Sequence, residues 1–303
     1  MIRMLLAVGG LLASPLAVAW HFVILGDTPY STFERQSLPE MFAAIRADPP
    51  AFVVHVGDIK AGGARCDDAL YADRRALFDT LGLPLVFTPG DNDWTDCRRQ
   101  SNGAYDPRER LAHLRTTFYI PQRPLGGADL ARTSQPGYPE NQRWTREGIL
   151  FVTVHMVGSY DNTADRQESP PRRAAGRRWM SAALAQAERM DARALVIFIH
   201  ADPHFQAHAR GRAPMAYRAF LAQLRRAALA SPRPMVLVHG DSHRQIIDHP
   251  LLDDAGQPIG HFTRVETFGY PFMGWVRAQV SDDETAPLEF SARPWTPSLG
   301  ANQ

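Results

Sequence analysis

Lysine is nearly absent from this chain. Lys60 is the single one in 303 residues, and arginine supplies every other fixed positive side chain. Net charge is nearly absent too: 33 basic residues stand against 32 acidic ones, a formal charge of +1. A balance this close argues against a surface built for a polyanion such as nucleic acid. The arginine-rich stretches at 171–178 and 210–212 read as solvated helix faces or loops. Beyond the first 19 residues no apolar run approaches the ~20 residues that span a bilayer, so no membrane span is expected there. Internal repeats and low-complexity linkers are also missing. Cysteine is limited to Cys66 and Cys97.

The N-terminus is different. Arg3 is followed by an apolar, small-residue stretch at 5–18, and Ala17-Val18-Ala19 fits the small-x-small cleavage rule. This predicts a secretory signal peptide over 1–19, cleaved after Ala19, and a periplasmic or secreted protein. In an oxidising compartment the even pair Cys66 and Cys97 reads as a disulfide. It would tie two loops together and stabilise by roughly 3–4 kcal/mol through chain entropy.

What the chain does have is a set of apolar runs, each ending in an acid or an imidazole. They end at Asp27, Asp58, Asp91, His200, and Asp241 with His243. Ligands of layered α/β folds bind at the carboxyl ends of strands. Carboxylates gathered on one such rim repel one another unless a cation lies between them. The pattern therefore points to a metal site, with two ions.

Strand-like runs alternate with helical ones. Strands are expected at 21–27, 51–58, 83–88, 149–157, 194–200 and 234–239, and helices near 38–46, 68–81, 107–118, 173–190 and 214–229. Residues 120–141, rich in Pro and Gly, read as an irregular insertion. Short strands at 261–268, 275–280 and 288–292 suggest an antiparallel C-terminal part. The expected architecture is α/β (α+β): a two-sheet sandwich with helices outside, forming one domain over 20–303.

The ordered blocks Asp27-Thr28-Pro29, Gly57-Asp58, Gly90-Asp91-Asn92-Asp93, His200 and Gly240-Asp241-Ser242-His243 resemble those of the calcineurin-like metallophosphoesterase superfamily. That superfamily includes the purple acid phosphatases, and its blocks read Asp-x-His, Gly-Asp, Gly-Asn-His-Asp/Glu, a lone His, and Gly-His-x-His. The resemblance covers roughly residues 22–246 and looks like a distinct exported bacterial branch. It implies a four-layer α/β/β/α sandwich of two mixed sheets with the metal site at the strand ends. It also implies hydrolysis of a phosphate mono- or diester, a small phosphorylated substrate, by a hydroxide held at two divalent ions. Asp58 would bridge the ions, Asp27 and His243 would hold the first, and Asp91, His200 and Asp241 the second. His239 shares strand parity with Asp241 and is its alternative.

Four departures stand out. Pro29 replaces a ligand His. Asp91 and Asp241 replace Asn and His. Asn92 takes the place of the His that protonates the leaving group or steadies phosphate. The donor set, rich in hard oxygen, favours Mn or Mg over Zn or Fe. Lys60, two residues past Asp58, is a candidate to bind a phosphoryl oxygen, offset the extra carboxylates, or replace the first ion. His204 and His208 read as loop residues at the rim because Pro203 interrupts any helix through 200–208. His55 and His155 read as sheet groups, and Tyr30 and Trp94 as pocket walls or packing. The losses at Pro29 and Asn92 also support an alternative reading, a weakly active or inactive binding or accessory protein on a phosphoesterase scaffold.

Overall fold

The computed structural model describes residues 20–298, and the expected signal peptide lies outside the described residues. Every apolar residue of the first run is buried, because the strand is covered on both faces. β1 (Trp20–Leu25), β2 (Val53–His55) and β3 (Leu85–Phe87) run parallel. The second sheet contains β4 (Thr133–Gln135), β5 (Tyr138–Arg146), β6 (Ile149–Thr153), β7 (Ala194–Phe198), β8 (Met235–His239), β9 (Ile246–Asp248) and β10 (Phe262–Glu266). Finally β11 (Gly274–Val280) and β12 (Leu288–Pro294) return to the first sheet, antiparallel beside β1. The strand orders are β12-β11-β1-β2-β3 and β4-β5-β6-β7-β8-β10-β9.

Three apolar layers hold four structural layers together. Phe22, Ile24, Phe52 and Val54 of the first sheet pack with Phe151, Val196, Phe198 and Val238 of the second. The other face of the first sheet is covered by helices Thr32–Ala47, Asp68–Asp79 and Pro107–Phe118, through Met41, Phe42, Phe78 and Phe118. The outer face of the second sheet is covered by helices Ser169–Arg189 and Met215–Ala230, through Trp179, Met180, Leu221 and Leu224. Strands buried on both faces read as continuous apolar runs rather than as alternation. The result is the expected α/β fold with two mixed sheets flanked by helices. Among the described residues no helix is long and apolar enough to cross a membrane.

Several boundaries differ from expectation. The first helix begins six residues early, at Thr32, with Ser31 Oγ accepting from Glu34 N at 3.1 Å. Pro39 lies inside it. Residues 120–141 are not wholly irregular: β4 and the start of β5 lie there and widen the second sheet. β10 is parallel to β8, not part of a purely antiparallel tail. His208 lies in a short helix, Phe205–Ala209, that starts after Pro203.

Candidate metal centre

β1, β2 and β3 are parallel, as are β7 and β8, so the ends of all five strands deliver their polar residues to one edge of the sandwich. Asp27, Asp58 and Asp91 arrive from the first sheet, and His200, Asp241 and His243 from the second. Gly-Asp recurs because the carboxylates leave no room for a side chain beside them. A Cβ at Gly90 would stand 2.0 Å from Asp58 Oδ1, and one at Gly240 would stand 2.3 Å from Asp27 Oδ2.

Two triads of donor atoms lie within 4.8 Å of one another: Asp27, Asp58 and His200, and Asp91, His200 and Asp241. His200 is central and fully buried. Its Nε2 lies 3.4 Å from Asp58 Oδ1, 3.2 Å from Asp91 Oδ1 and 3.8 Å from Asp241 Oδ1. Its Nδ1 lies 2.8 Å from Val56 O, an acceptor only, so Nδ1 carries the proton. His243 repeats the arrangement: Nδ1 donates to Tyr270 O at 2.9 Å, and Nε2 faces Asp27 Oδ1 at 3.5 Å. Metal-ligating imidazoles are commonly oriented this way, with one N–H on a carbonyl and the other nitrogen turned to the ion.

The charge balance fits a cation. Burial pushes the Asp58 carboxyl well above its ordinary range, Asp91, Asp93 and Asp27 add repulsion, and His200 opposes them. Burial likewise raises Asp241, to about 6. Burial alone would lower the His200 imidazole, yet Asp58, Asp91 and Asp241 hold it well above its ordinary value. With protons as its only cations, the cluster must retain them on His200 and Asp58. A neutral His200 would turn its Nε2 lone pair on three carboxylates. Divalent cations remove both conflicts, and the oxygen and imidazole donors present suit them.

The surrounding donors fix the carboxylates. Asp58 Oδ1 accepts Asn92 N at 3.0 Å, and Oδ2 accepts Asn92 Nδ2 and the Tyr30 hydroxyl, each at 2.5 Å. Asp93 accepts three backbone N–H groups, from Asp58, Ile59 and Gly90, and so locks the two Gly-Asp loops together. Asp91 Oδ2 accepts the Ser159 hydroxyl at 2.7 Å, and Asp241 Oδ2 accepts Asp202 N at 2.9 Å. The Cys66–Cys97 disulfide joins the loop after β2 to the loop after β3.

Lys60, Asp241 and His243 stand differently from expectation. Lys60 does not face the cluster. It is fully buried, and Nζ donates to Ala64 O at 2.9 Å and Ala61 O at 3.2 Å. Asp58 has φ 59°, which turns the chain, so residue 60 does not share its side as it would in extended backbone. Asp241 and His243 do reach the cluster together, but through a turn with φ 76° and 58° rather than through extended backbone. His239 is directed elsewhere: Nδ1 contacts its neighbour's carbonyl, Gly240 O, at 2.9 Å, and burial lowers its pKa to about 4.

Tyr30 and Ser159 were missed as polar contacts of the site. Tyr30 carried a weak signal, lying three residues past Asp27. Ser159 carried none, because it sits in a turn with φ 50–57° at residues 159–162. Trp94 is packing, fully buried against His155 with ring centroids 5.5 Å apart. His155 pairs with buried Glu140 at 2.8 Å, and His55 Nε2 contacts Thr28 O at 2.9 Å.

Comparison with known proteins agrees with this architecture. A dimetal phosphatase from Danio rerio superposes with a TM-score of 0.57 at 14% identity, over 91% of this chain and 96% of that one. A purple acid phosphatase from yellow lupin seeds gives 0.51 at 11% identity, over 91% of this chain and 52% of that one, so the chain spans about half the lupin enzyme. These likenesses are likenesses of fold. No curated protein matches the chain. A family model described as calcineurin-like phosphoesterase matches residues 21–245, most of the chain, and the protein belongs to that family.

Proposed function

We propose that this chain is an exported, metal-dependent phosphoesterase that hydrolyses a small phosphate ester at a two-metal site. Asp27, Asp58 and His243 would hold one ion, and Asp58, Asp91, His200 and Asp241 the other. The observation that carries the reading is the pair of histidines, each with Nδ1 tied to a backbone carbonyl and Nε2 turned to buried carboxylates. Membership of a metallophosphoesterase family supports it. The disulfide is compatible with export.

Two bound divalent ions supply Lewis acidity to the phosphoryl group and make water a nucleophile at neutral pH. The chain's own contribution is position. Asn92 and Tyr30 bond both oxygens of Asp58 and so fix the orientation of its carboxylate. Val56 O and Tyr270 O fix the imidazole tautomers. The Asn92 side-chain amide donates to Asp58 Oδ2 and the Tyr30 hydroxyl and carries no transferable proton at neutral pH. Neither Pro29 nor Asn92 replaces the missing acid, so the leaving group takes its proton from water. Lys60 acts on Asp93, Asp58 and Asp96 only at longer range, offsetting carboxylate charge from inside its loop.

The test is to strip the protein, reload it separately with Mn²⁺, Mg²⁺, Zn²⁺ and Fe²⁺, and measure occupancy and turnover on mono- and diesters. Turnover should follow occupancy, with Mn²⁺ or Mg²⁺ at least matching Zn²⁺ because oxygen donors predominate. Asp58→Asn should stay folded and lose more than about 100-fold, beyond the 10–100-fold typical of outer-shell changes. No turnover at full occupancy would refute the enzyme reading and leave a binding or accessory role.

A further inference from the structure

A groove opens beside the cluster, and its wall is mainly apolar. Phe33 from the first turn of helix Thr32–Ala47, Phe268, Phe272 and Met273 between β10 and β11, and Trp295 beyond β12 enclose about 460 Å³. That falls within the usual size of a small-molecule site. His243 belongs to the same wall, so the groove ends at a side chain 3.5 Å from Asp27. Phe33 and Phe272 are 60% and 68% exposed, and Tyr270 beside them is 48% exposed. Aromatic surface gathered in this way marks a place that something covers. The surface is also continuous with the cluster: Tyr270 stacks on Tyr30 with ring centroids 6.2 Å apart at 17°, and the Tyr30 hydroxyl lies on Asp58.

The lining chemistry narrows the occupant. Among the described residues His243, which is directed at Asp27, is the only titratable residue in the wall, so no further group there pairs with a second phosphate, a carboxylate or an ammonium. Several rings on one wall favour a planar ring, which stacks with little loss of freedom, over a flexible chain. Gln245, in the same wall, has an Nε2 with no hydrogen-bond partner, a donor that a ring substituent can satisfy.

We propose that this groove holds the leaving group of the substrate and that the leaving group is a neutral aromatic ring system. The substrate is then an aryl or heteroaryl phosphoester, its phosphoryl end on the cluster and its ring between Phe33, Phe272 and Trp295. The assignment rests on the phosphoesterase reading and meets its missing acid. Water forms the new P–O bond, and the aryl oxygen leaves with the electron pair of the old one. Water's proton passes to solvent, and the aryloxide takes its proton from solvent. An aryloxide leaves as an anion far more readily than an alkoxide, so no protonating side chain is required.

The experiment compares 2-naphthyl, phenyl and n-octyl phosphates on metal-loaded protein, and follows 2-naphthol binding by its own fluorescence anisotropy on stripped protein. Phenyl and naphthyl leaving groups have similar intrinsic reactivity, so a difference in KM reports the groove. The expected KM for the naphthyl ester is about tenfold below that for the phenyl ester, with the ratio approaching one in Phe272→Ala. Met215→Ala, an exposed apolar residue outside the groove, should leave the ratio alone. Naphthol should bind the stripped protein and weaken about tenfold in Phe272→Ala. Equal KM values, tighter use of the octyl ester, or indifference to Phe272→Ala would overturn the proposal. If no ester turns over at full metal occupancy, the phosphoesterase reading fails and the substrate assignment fails with it. Naphthol binding would then still report whether the groove takes a ring.

Discussion

Asp27, Asp58, Asp241 and His243 all have left-handed backbone, with φ of 52°, 59°, 76° and 58°. The conformation costs a non-glycine residue roughly 1–2 kcal/mol, least for Asp and Asn, and such strain concentrates at functional sites. It is sustained here by bonds on either side, such as Asp58 N to Asp93 at 2.9 Å and Asp241 N to Asp27 at 3.1 Å. The same turns explain what could and could not be read in advance. An acid directly after an apolar run is visible in sequence, and all six candidate ligands converge on one edge. The direction of the next side chain depends on φ, which a sequence does not display, so Lys60 was turned the wrong way and Tyr30 was undervalued. Lys60→Met should therefore act on folding. Losing charged hydrogen bonds to Ala61 O and Ala64 O should cost about 2 kcal/mol in urea unfolding, with kcat/KM of folded, loaded protein falling less than about threefold. A large loss of turnover at unchanged stability would return Lys60 to the substrate.

At the scale of elements, long apolar strands and amphipathic helices were legible because burial writes itself into period and run length. β4 and β5 were not, because Gly126, Gly127, Gly137 and several prolines crowd that stretch and β4 is largely exposed. β5 nevertheless carries Glu140, which joins three elements: its carboxylate accepts Arg115 of helix Pro107–Phe118 at 2.5 Å and pairs with His155, just past β6, at 2.8 Å. Burial alone would raise Glu140, but the His155 and Arg115 bonds outweigh it and hold it near 2, below its usual 4.5. A depressed carboxyl adds stability that is fully present above pH 4.5 and is lost as pH falls through about 2. Glu140→Gln should cost about 3 kcal/mol at neutral pH, and the gap to the parent should narrow from pH 4.5 downward. A pH-independent gap in unfolding measurements would contradict the assignment. The loops after β2 and β3 are coupled too, by Cys66–Cys97 across 31 residues of sequence. Replacing both cysteines with alanine should cost about 3–4 kcal/mol in the chain-entropy account. It should also weaken metal binding in titrations, since Asp58 and Asp91 sit on the two joined loops.

At the scale of the whole molecule, the site is a junction. Asp27, Asp58 and Asp91 follow strands of one sheet, and His200, Asp241 and His243 follow strands of the other. An ion held by Asp91, His200 and Asp241 would therefore link the two sheets where their apolar interface ends. Such a ligand binds the folded chain and not the unfolded one, because only folding brings residues 27 and 243 together. Mass action then ties stability to metal concentration: about 2.7 kcal/mol at 100 times Kd, and about 4.1 at 1,000 times. Stripped protein should unfold at a lower temperature than loaded protein, and Tm should climb with the logarithm of free metal above Kd. Both sheets contribute ligands, so far-UV circular dichroism and tryptophan fluorescence should report the same shift. Asp241→Asn, which removes one negative charge from the triad, should raise Kd and so shift the onset of the climb to higher free metal. A Tm indifferent to metal from well below to well above saturating concentration would show that the clustered carboxylates hold protons in solution, and it would remove the metal centre from this protein.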